Sequence, residues 1–176
     1  MSTSQRMNLA TANLALPHTA MAQGPGLDEQ ISDLVRLSTE ANSALMRGDA
    51  GRYFELTPVA EDFLLMSPFG GVPSRGGEYT PERIEAIGRY FREGTFAMEL
   101  VQAYVSPEMV VMAIIERANV EVGGLRAQDW ALRVTLVYRR QGADWHLVHR
   151  HADPLANGVT LEQAAALATG QPAISQ

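Results

Sequence analysis

The stretch EMVVMAIIERANVEVGGLRAQDWALRVTLVYRR, residues 108–140, decides how this chain folds. Apolar side chains recur there at every second position, the period of a β-strand half-buried in a sheet. TFAMELVQAYV (95–105) precedes it and DWHLVHRHA (144–152) follows it with the same period. The separators SP, GGLRAQ and QGA are short enough for hairpins. Four strands in immediate succession predict an antiparallel sheet.

Upstream of the sheet the period is helical. In LDEQISDLVRLSTEANSALMR (27–47) the residues Leu27, Ile31, Leu34, Val35, Ala41 and Leu45 trace one broad apolar stripe, and Gly48 ends it. DAGRYFEL (49–56) reads as a short helix capped by Asp49 and stopped by Thr57-Pro58. EDFLLMSP (61–68) is a short apolar strand, and the glycine-rich FGGVPSRGGEY (69–79) is a loop or bent hairpin. In TPERIEAIGRYFREG (80–94), Thr80 is an N-cap, Pro81 suits the first helical position and Gly94 sits past the end. GVTLEQAAALATG (158–170) predicts a short terminal helix. The expectation is an α+β domain, with three helices covering one face of the sheet.

Composition narrows the function. The chain has 176 residues, 46% of them apolar, and a formal net charge of −6. An acidic surface repels phosphate backbones, so nucleic acid is not an expected partner. No run approaches the roughly 20 apolar residues of a membrane span, so neither is a membrane. With no cysteine there is no disulfide, thiol nucleophile or Cys-type zinc site. Residues 1–26 are small and polar, with Arg6 as their one basic residue, and read as a flexible arm or a degenerate signal. The chain is read as cytoplasmic, with export through residues 1–22 as the alternative. The domain itself runs over 27–157, followed by a helix and tail over 158–176.

Particular motifs carry a family resemblance. DWHLVHRHADP (144–154) resembles the W-x-hydrophobic-V-H-x-H ending of SnoaL-like proteins, within the nuclear transport factor 2-like superfamily. It also resembles the association domain of calcium/calmodulin-dependent kinase II, which the Gly123-Gly124 turn and Tyr138-Arg139-Arg140 match too. SPFGGVPSRG (67–76) resembles the D-P-x-G-x-x-P-x-x-G run of ketosteroid isomerases. The resemblance implies a cone-shaped curved antiparallel sheet of about four to six strands on three N-terminal helices. It implies neither a cofactor nor a particular reaction. Ser67 stands where the isomerases have their catalytic Asp, and Ala41 where they have an oxyanion Tyr. Neither residue can supply a base or a strong donor near neutral pH. Thr135 stands where the kinase domain has a pocket arginine, with Arg133 two residues back on the same strand face.

The candidate site residues follow from strand alternation. Three of the four histidines, His146, His149 and His151, lie on the last strand. His149, His151 and Asp153 share a face at two-residue spacing. An imidazole titrating near neutrality can act as a base beside a substrate, so His149 and His151 are the catalytic candidates. A metal site would need a further carboxylate such as Glu116, and none is expected. Glu116 and Arg133 each interrupt an apolar strand and fall within one residue of facing each other. They read as a cross-strand ion pair, with Arg117 or Arg150 able to share the acid. Glu116, Arg133, His149, His151 and Asp153 are therefore the expected ligand-contacting set. The QGA turn leaves one choice open: one register puts His149 and His151 beside Arg133, the other His146 and Arg150.

Both faces of the strand 130–138 are substantially apolar, so the sheet face without helices is expected to pair with a second copy. The expected function is binding of a small organic molecule, with a carboxylate as one class, by a homodimer. The alternatives are acid–base catalysis through a histidine and a purely structural assembly role.

Overall fold

The computed structural model describes residues 25–169. Residues 1–24 of the arm or signal expected over 1–26, and residues 170–176 of the tail, lie outside the described residues. The elements run α1 (Pro25–Met46), α2 (Ala50–Leu56), β1 (Val59–Met66), β2 (Ser74–Arg75), a short 3-10 turn (Gly76–Glu78), α3 (Pro81–Tyr90), β3 (Phe91–Val105), β4 (Met109–Val122), β5 (Leu125–Gln141), β6 (Asp144–Pro154) and α4 (Leu161–Leu167).

Local chemistry sets most of these boundaries. The Asp49 carboxylate accepts a hydrogen bond from the Arg52 amide at 2.9 Å and starts α2. Thr80 accepts from the Arg83 amide at 3.3 Å, and Pro81 follows it into α3. Thr160 and Gln163 form a capping box at α4. Gly123 and Gly124 take φ of +58° and +87°, the signs a two-residue type I′ hairpin requires. The hairpin therefore closes directly from Val122 to Leu125, and Leu125 to Gln128, expected in the turn, belong to β5.

The single sheet has the order β2-β1-β6-β5-β4-β3. The β3 to β6 pairs are antiparallel, as the alternation predicts. The rest of the expected architecture is corrected. β1 pairs parallel with β6, Leu65 opposite Arg150 and Met66 opposite His151, so the sheet is mixed. β2 and β3 are its two outer strands and do not pair with each other, so the sheet is open and does not take the expected cone shape. The helices number four among the described residues, with α3 after β2 and α4 after the sheet, in place of three leading helices. Parallel pairing needs a long crossover, and here β2 to β5 and α3 all lie between β1 and β6.

The third helix also ends earlier than its pattern suggests. Phe91 already belongs to β3, and Gly94 is a buried residue of that strand, not a helix stop. The β3–β4 register slips between Arg92 and Thr95, where Glu93 has φ of +52°. This bulge turns the chain from α3 into the sheet without a loop.

The core forms where α1 crosses the inner face of the sheet. Leu34, Phe63, Met112, Ile114, Leu136 and Tyr138 are its buried centre. Met46, Val120 and Val122 form a second buried cluster beside it. Two polar groups enter this core paired. The Ser38 and Tyr138 hydroxyls share a hydrogen bond of 2.8 Å, and the Asn42 amide donates to the Ser38 carbonyl at 2.9 Å.

Candidate functional site

Between the helices and the inner face of the sheet lies a cavity of about 330 Å³. α2 contributes Tyr53 and Phe54, and β1 contributes Phe63. Tyr79 and Tyr90 flank α3, and Trp130 projects from β5. Several of these rings meet one another: Tyr53 and Phe54 at 5.0 Å, Phe54 and Tyr79 at 5.2 Å, Phe63 and Tyr79 at 5.7 Å. The walls are thus a chain of aromatic contacts in the edge-on and tilted arrangements that ring quadrupoles favour.

One charged pair also lines this cavity. Arg150 donates from Nη1 to Glu116 Oε1 at 2.8 Å and from Nη2 to Oε2 at 2.7 Å, a bidentate fork. Their side chains are only 13% and 5% exposed. Glu116 stands on β4 and Arg150 on β6, so the arginine reaches diagonally over β5. Burial alone would lower the Arg150 pKa, but the Glu116 carboxylate outweighs it and the shift is upward. The fork uses two of the five guanidinium donors.

The expected site residues separate into two groups. Glu116 faces the cavity. Arg133 sits opposite Ile115, one residue off Glu116, and therefore points to the other face of the sheet. It is exposed, with Nη2 4.0 Å from Asp153 Oδ2. His151 Nε2 lies 3.7 Å from Asp153 Oδ1, and His149 Nδ1 lies 2.9 Å from the Leu64 carbonyl oxygen. Arg133, His149, His151 and Asp153 thus share the outer face, away from Glu116.

A single bulge produces this separation. Gly142 and Ala143 alone connect β5 to β6, and Tyr138 pairs with Leu147. Beyond that point Val137 pairs with His149, so Val148 is the extra residue. Without it, His149 and His151 would face inward and Arg150 outward. Of the two registers open at the sequence level, the one joining the histidines to Arg133 is present. His146 pairs with Arg139 instead, and its Nδ1 is buried without a hydrogen-bond partner.

The isomerase positions hold no replacement chemistry. Ser67 lines the cavity, and its hydroxyl accepts from the Phe69 amide at 3.2 Å. Ala41 is fully buried in α1. Arg139 is committed to Asp62 through two hydrogen bonds of 2.9 and 2.7 Å. Arg140 stacks on Trp145 at 4.4 Å. Among the described residues, no three His, Asp or Glu side chains are placed to hold a metal ion, and no helix is long and apolar enough to cross a membrane.

Residues 35–156 match the SnoaL-like domain. The chain belongs to the SnoaL-like family. Solved structures with the same fold include a nuclear transport factor 2-like family protein from Streptomyces avermitilis, 18% identical with a TM-score of 0.59, covering 73% of this chain and 99% of that one. A nuclear transport factor 2-like protein of unknown function from Pseudomonas putida is 20% identical with a TM-score of 0.54, covering 73% and 86%. The association domain of C. elegans calcium/calmodulin-dependent kinase II is 14% identical with a TM-score of 0.53, covering 72% and 96%. At these identities the likeness is one of fold. No curated protein matches the sequence. The SnoaL-like assignment spans α1 from Val35 to the end of β6, and so takes in Glu116, Arg150 and the aromatic walls.

Sequence reasoning named Arg150 only as one possible partner of Glu116 and did not single out the aromatic walls. Those walls come from α2, β1, the segment between β1 and α3, the end of α3 and β5, and only the packing of these elements brings them together.

Burial raises the phenol pKa of Tyr53 and Tyr138. Unfolded tyrosines lose their protons near pH 10. Above that value the unfolded chain releases protons that the folded chain keeps, so stability present below about pH 10 is lost as pH rises. All 14 basic residues are arginine, so no lysine titration overlaps this range. Melting temperatures are expected to fall from about pH 10 upward, and Tyr138→Phe to flatten the fall. A melting temperature that holds level to about pH 11 in the parent chain would contradict the assignment.

Proposed function

We propose that this SnoaL-like chain binds a small, uncharged, largely apolar organic molecule in the aromatic cavity and acts on it by no chemistry of its own. The observation that carries this reading is the buried Glu116–Arg150 fork in a largely apolar pocket, whose one other charged lining residue among those described, Arg83, is held by Glu78. A buried ion pair is often no more stabilising than apolar side chains of the same volume. Its presence in a cavity is better accounted for by recognition than by packing. Glu116 already neutralises Arg150, so an entering carboxylate would meet repulsion as well as attraction. A carbonyl or hydroxyl oxygen can take a spare guanidinium donor without that cost. The volume lies at the lower end of the range typical of ligand pockets, about 300–1,000 Å³.

In this reading Arg133, His149, His151 and Asp153 serve a homodimer face. What supports it is the half-buried row Val111, Ala113, Ile115, Thr135 and Val137 on the side of the sheet opposite the core. No base is assigned, because Glu116 is held in the fork and the histidines point away from the cavity.

The experiment is a thermal-shift screen of matched pairs, uncharged polycyclic ketones and phenols against their carboxylate counterparts. Light scattering on the same samples gives the oligomeric state. Uncharged compounds are expected to raise the melting temperature, by mass action on the folded state, and the carboxylates to do so far less. The shift should vanish in a Glu116→Leu, Arg150→Met double variant. Carboxylates that outperform their uncharged partners, or a shift that survives the double substitution, would refute the ligand class or the anchor. A monomer in light scattering would remove the dimer.

A further inference from the structure

Of the aromatic side chains lining the cavity, only Phe69 and Tyr90 are exposed, 55% and 43%. A side chain that meets both the cavity and solvent stands at its mouth. The Phe69 ring meets Tyr90 edge-on at 5.8 Å and tilts over Trp130 at 5.4 Å.

The two sides of this mouth are held differently. Tyr90 closes α3, its carbonyl accepts from the Gly123 amide at 2.8 Å, and its ring packs on Gly123. A Cβ added to Gly123 would come within 2.9 Å of that ring. Trp130 belongs to β5, an inner strand of the sheet. Phe69 instead rides on a turn whose hydrogen bonds are internal. The Gly70 amide donates to the Ser67 carbonyl at 2.9 Å and the Phe69 amide to the Ser67 hydroxyl at 3.2 Å. Gly70 and Gly71 have φ of +72° and +83°, and nothing lies within 4 Å of where their Cβ atoms would be. Val72, next along, is 91% exposed.

We infer that Phe69 is the moving leaf of a gate on the cavity, with Tyr90 and Trp130 as its fixed stop, an inference that rests on the cavity being a ligand site. The turn swings about Gly70 and Gly71. Opening separates Phe69 from its two ring partners and breaks no hydrogen bond to another element. Closing restores the aromatic contacts over whatever the cavity holds. Such a gate slows entry and exit together, whereas a wall residue that only touches the ligand slows exit alone.

The test uses Nile red, an uncharged polycyclic fluorophore, in stopped-flow mixing with the full chain. Phe69→Ala is expected to raise association and dissociation rate constants together, each about tenfold, the scale of one or two lost aromatic contacts. The dissociation constant should then stay within about twofold of the parent value. Phe69→Leu should fall between the two, and Val72→Ala should match the parent. A second arm needs no ligand. With Trp145→Phe, Trp130 is the only tryptophan left, and Phe69→Ala should raise its acrylamide quenching severalfold. Unchanged rates in Phe69→Ala, or a change in dissociation alone, would overturn the gate and leave the ligand site standing. Nile red binding to neither the parent nor Phe69→Ala would overturn the ligand-site reading for this class, and the gate with it.

Discussion

Replacing Glu116 by alanine is expected to destabilise the chain by about 3–5 kcal/mol, the range for removing one partner of a buried ion pair. Arg150 would remain in the aromatic cavity with a charge and no carboxylate. Its side chain is only 13% exposed, so water can reach it poorly. No second acid stands ready, since Arg150 forms its side-chain hydrogen bonds with Glu116 alone among the described residues. Urea unfolding followed by circular dichroism measures the loss as a lower midpoint at unchanged slope. Glu116→Gln keeps the shape and removes the charge, so it should lose a smaller share of the same stability. The Glu116→Leu, Arg150→Met double variant separates stability from recognition. Apolar replacement of both partners is often neutral or stabilising by about 1–4 kcal/mol. A double variant as stable as the parent but unable to bind would show that the pair serves the ligand. One as unstable as Glu116→Ala would mean that the pair holds the fold together.

Gly94→Ala is expected to cost about 1–3 kcal/mol, the usual penalty for an added group in a filled interior. The new Cβ would lie 2.7 Å from the Met46 carbonyl oxygen, 2.8 Å from Met46 Cβ and 2.8 Å from Val120 Cγ2. One of these is helix backbone, which cannot rotate aside as a side chain can. Relief requires α1 to move off β3 at the place where Met46, Val120 and Val122 are buried together. Each kcal/mol corresponds to about 2–4 °C in melting temperature for a chain of this size. The same change at Gly124 meets open space but a φ of +87°, so it would cost backbone strain without a clash. An unchanged melting temperature in Gly94→Ala would mean that α1 does not press on β3 there.

The two variants also mark where sequence reasoning reached its limit. Gly94 follows a strong helix pattern and carries the ordinary mark of a helix end. In the fold it lies three residues inside β3, because the bulge at Glu93 turns the chain into a strand with no intervening loop. Glu116 stood out as a charge in an apolar strand, and the neighbouring arginines were all candidates to neutralise it. Arg133, the nearest in register, points away from it by one residue.

Period-two alternation over 95–152 was enough to establish four consecutive antiparallel strands, because each strand must present one face to a core. Asp49, Thr80 and Pro81 placed two helix starts, because unsatisfied amides at a helix end need a local acceptor. Those signals act between neighbours in the chain, so the amino-acid sequence alone determined them, and the ending DWHLVHRHADP carried the family. The parallel β1–β6 pairing, the open edges of the sheet, the meeting of Glu116 with Arg150 and the gathering of rings around the cavity belong to the tertiary structure. Each depends on which distant backbones pair, and a single extra residue at Val148 exchanges every side chain beyond it between the two faces.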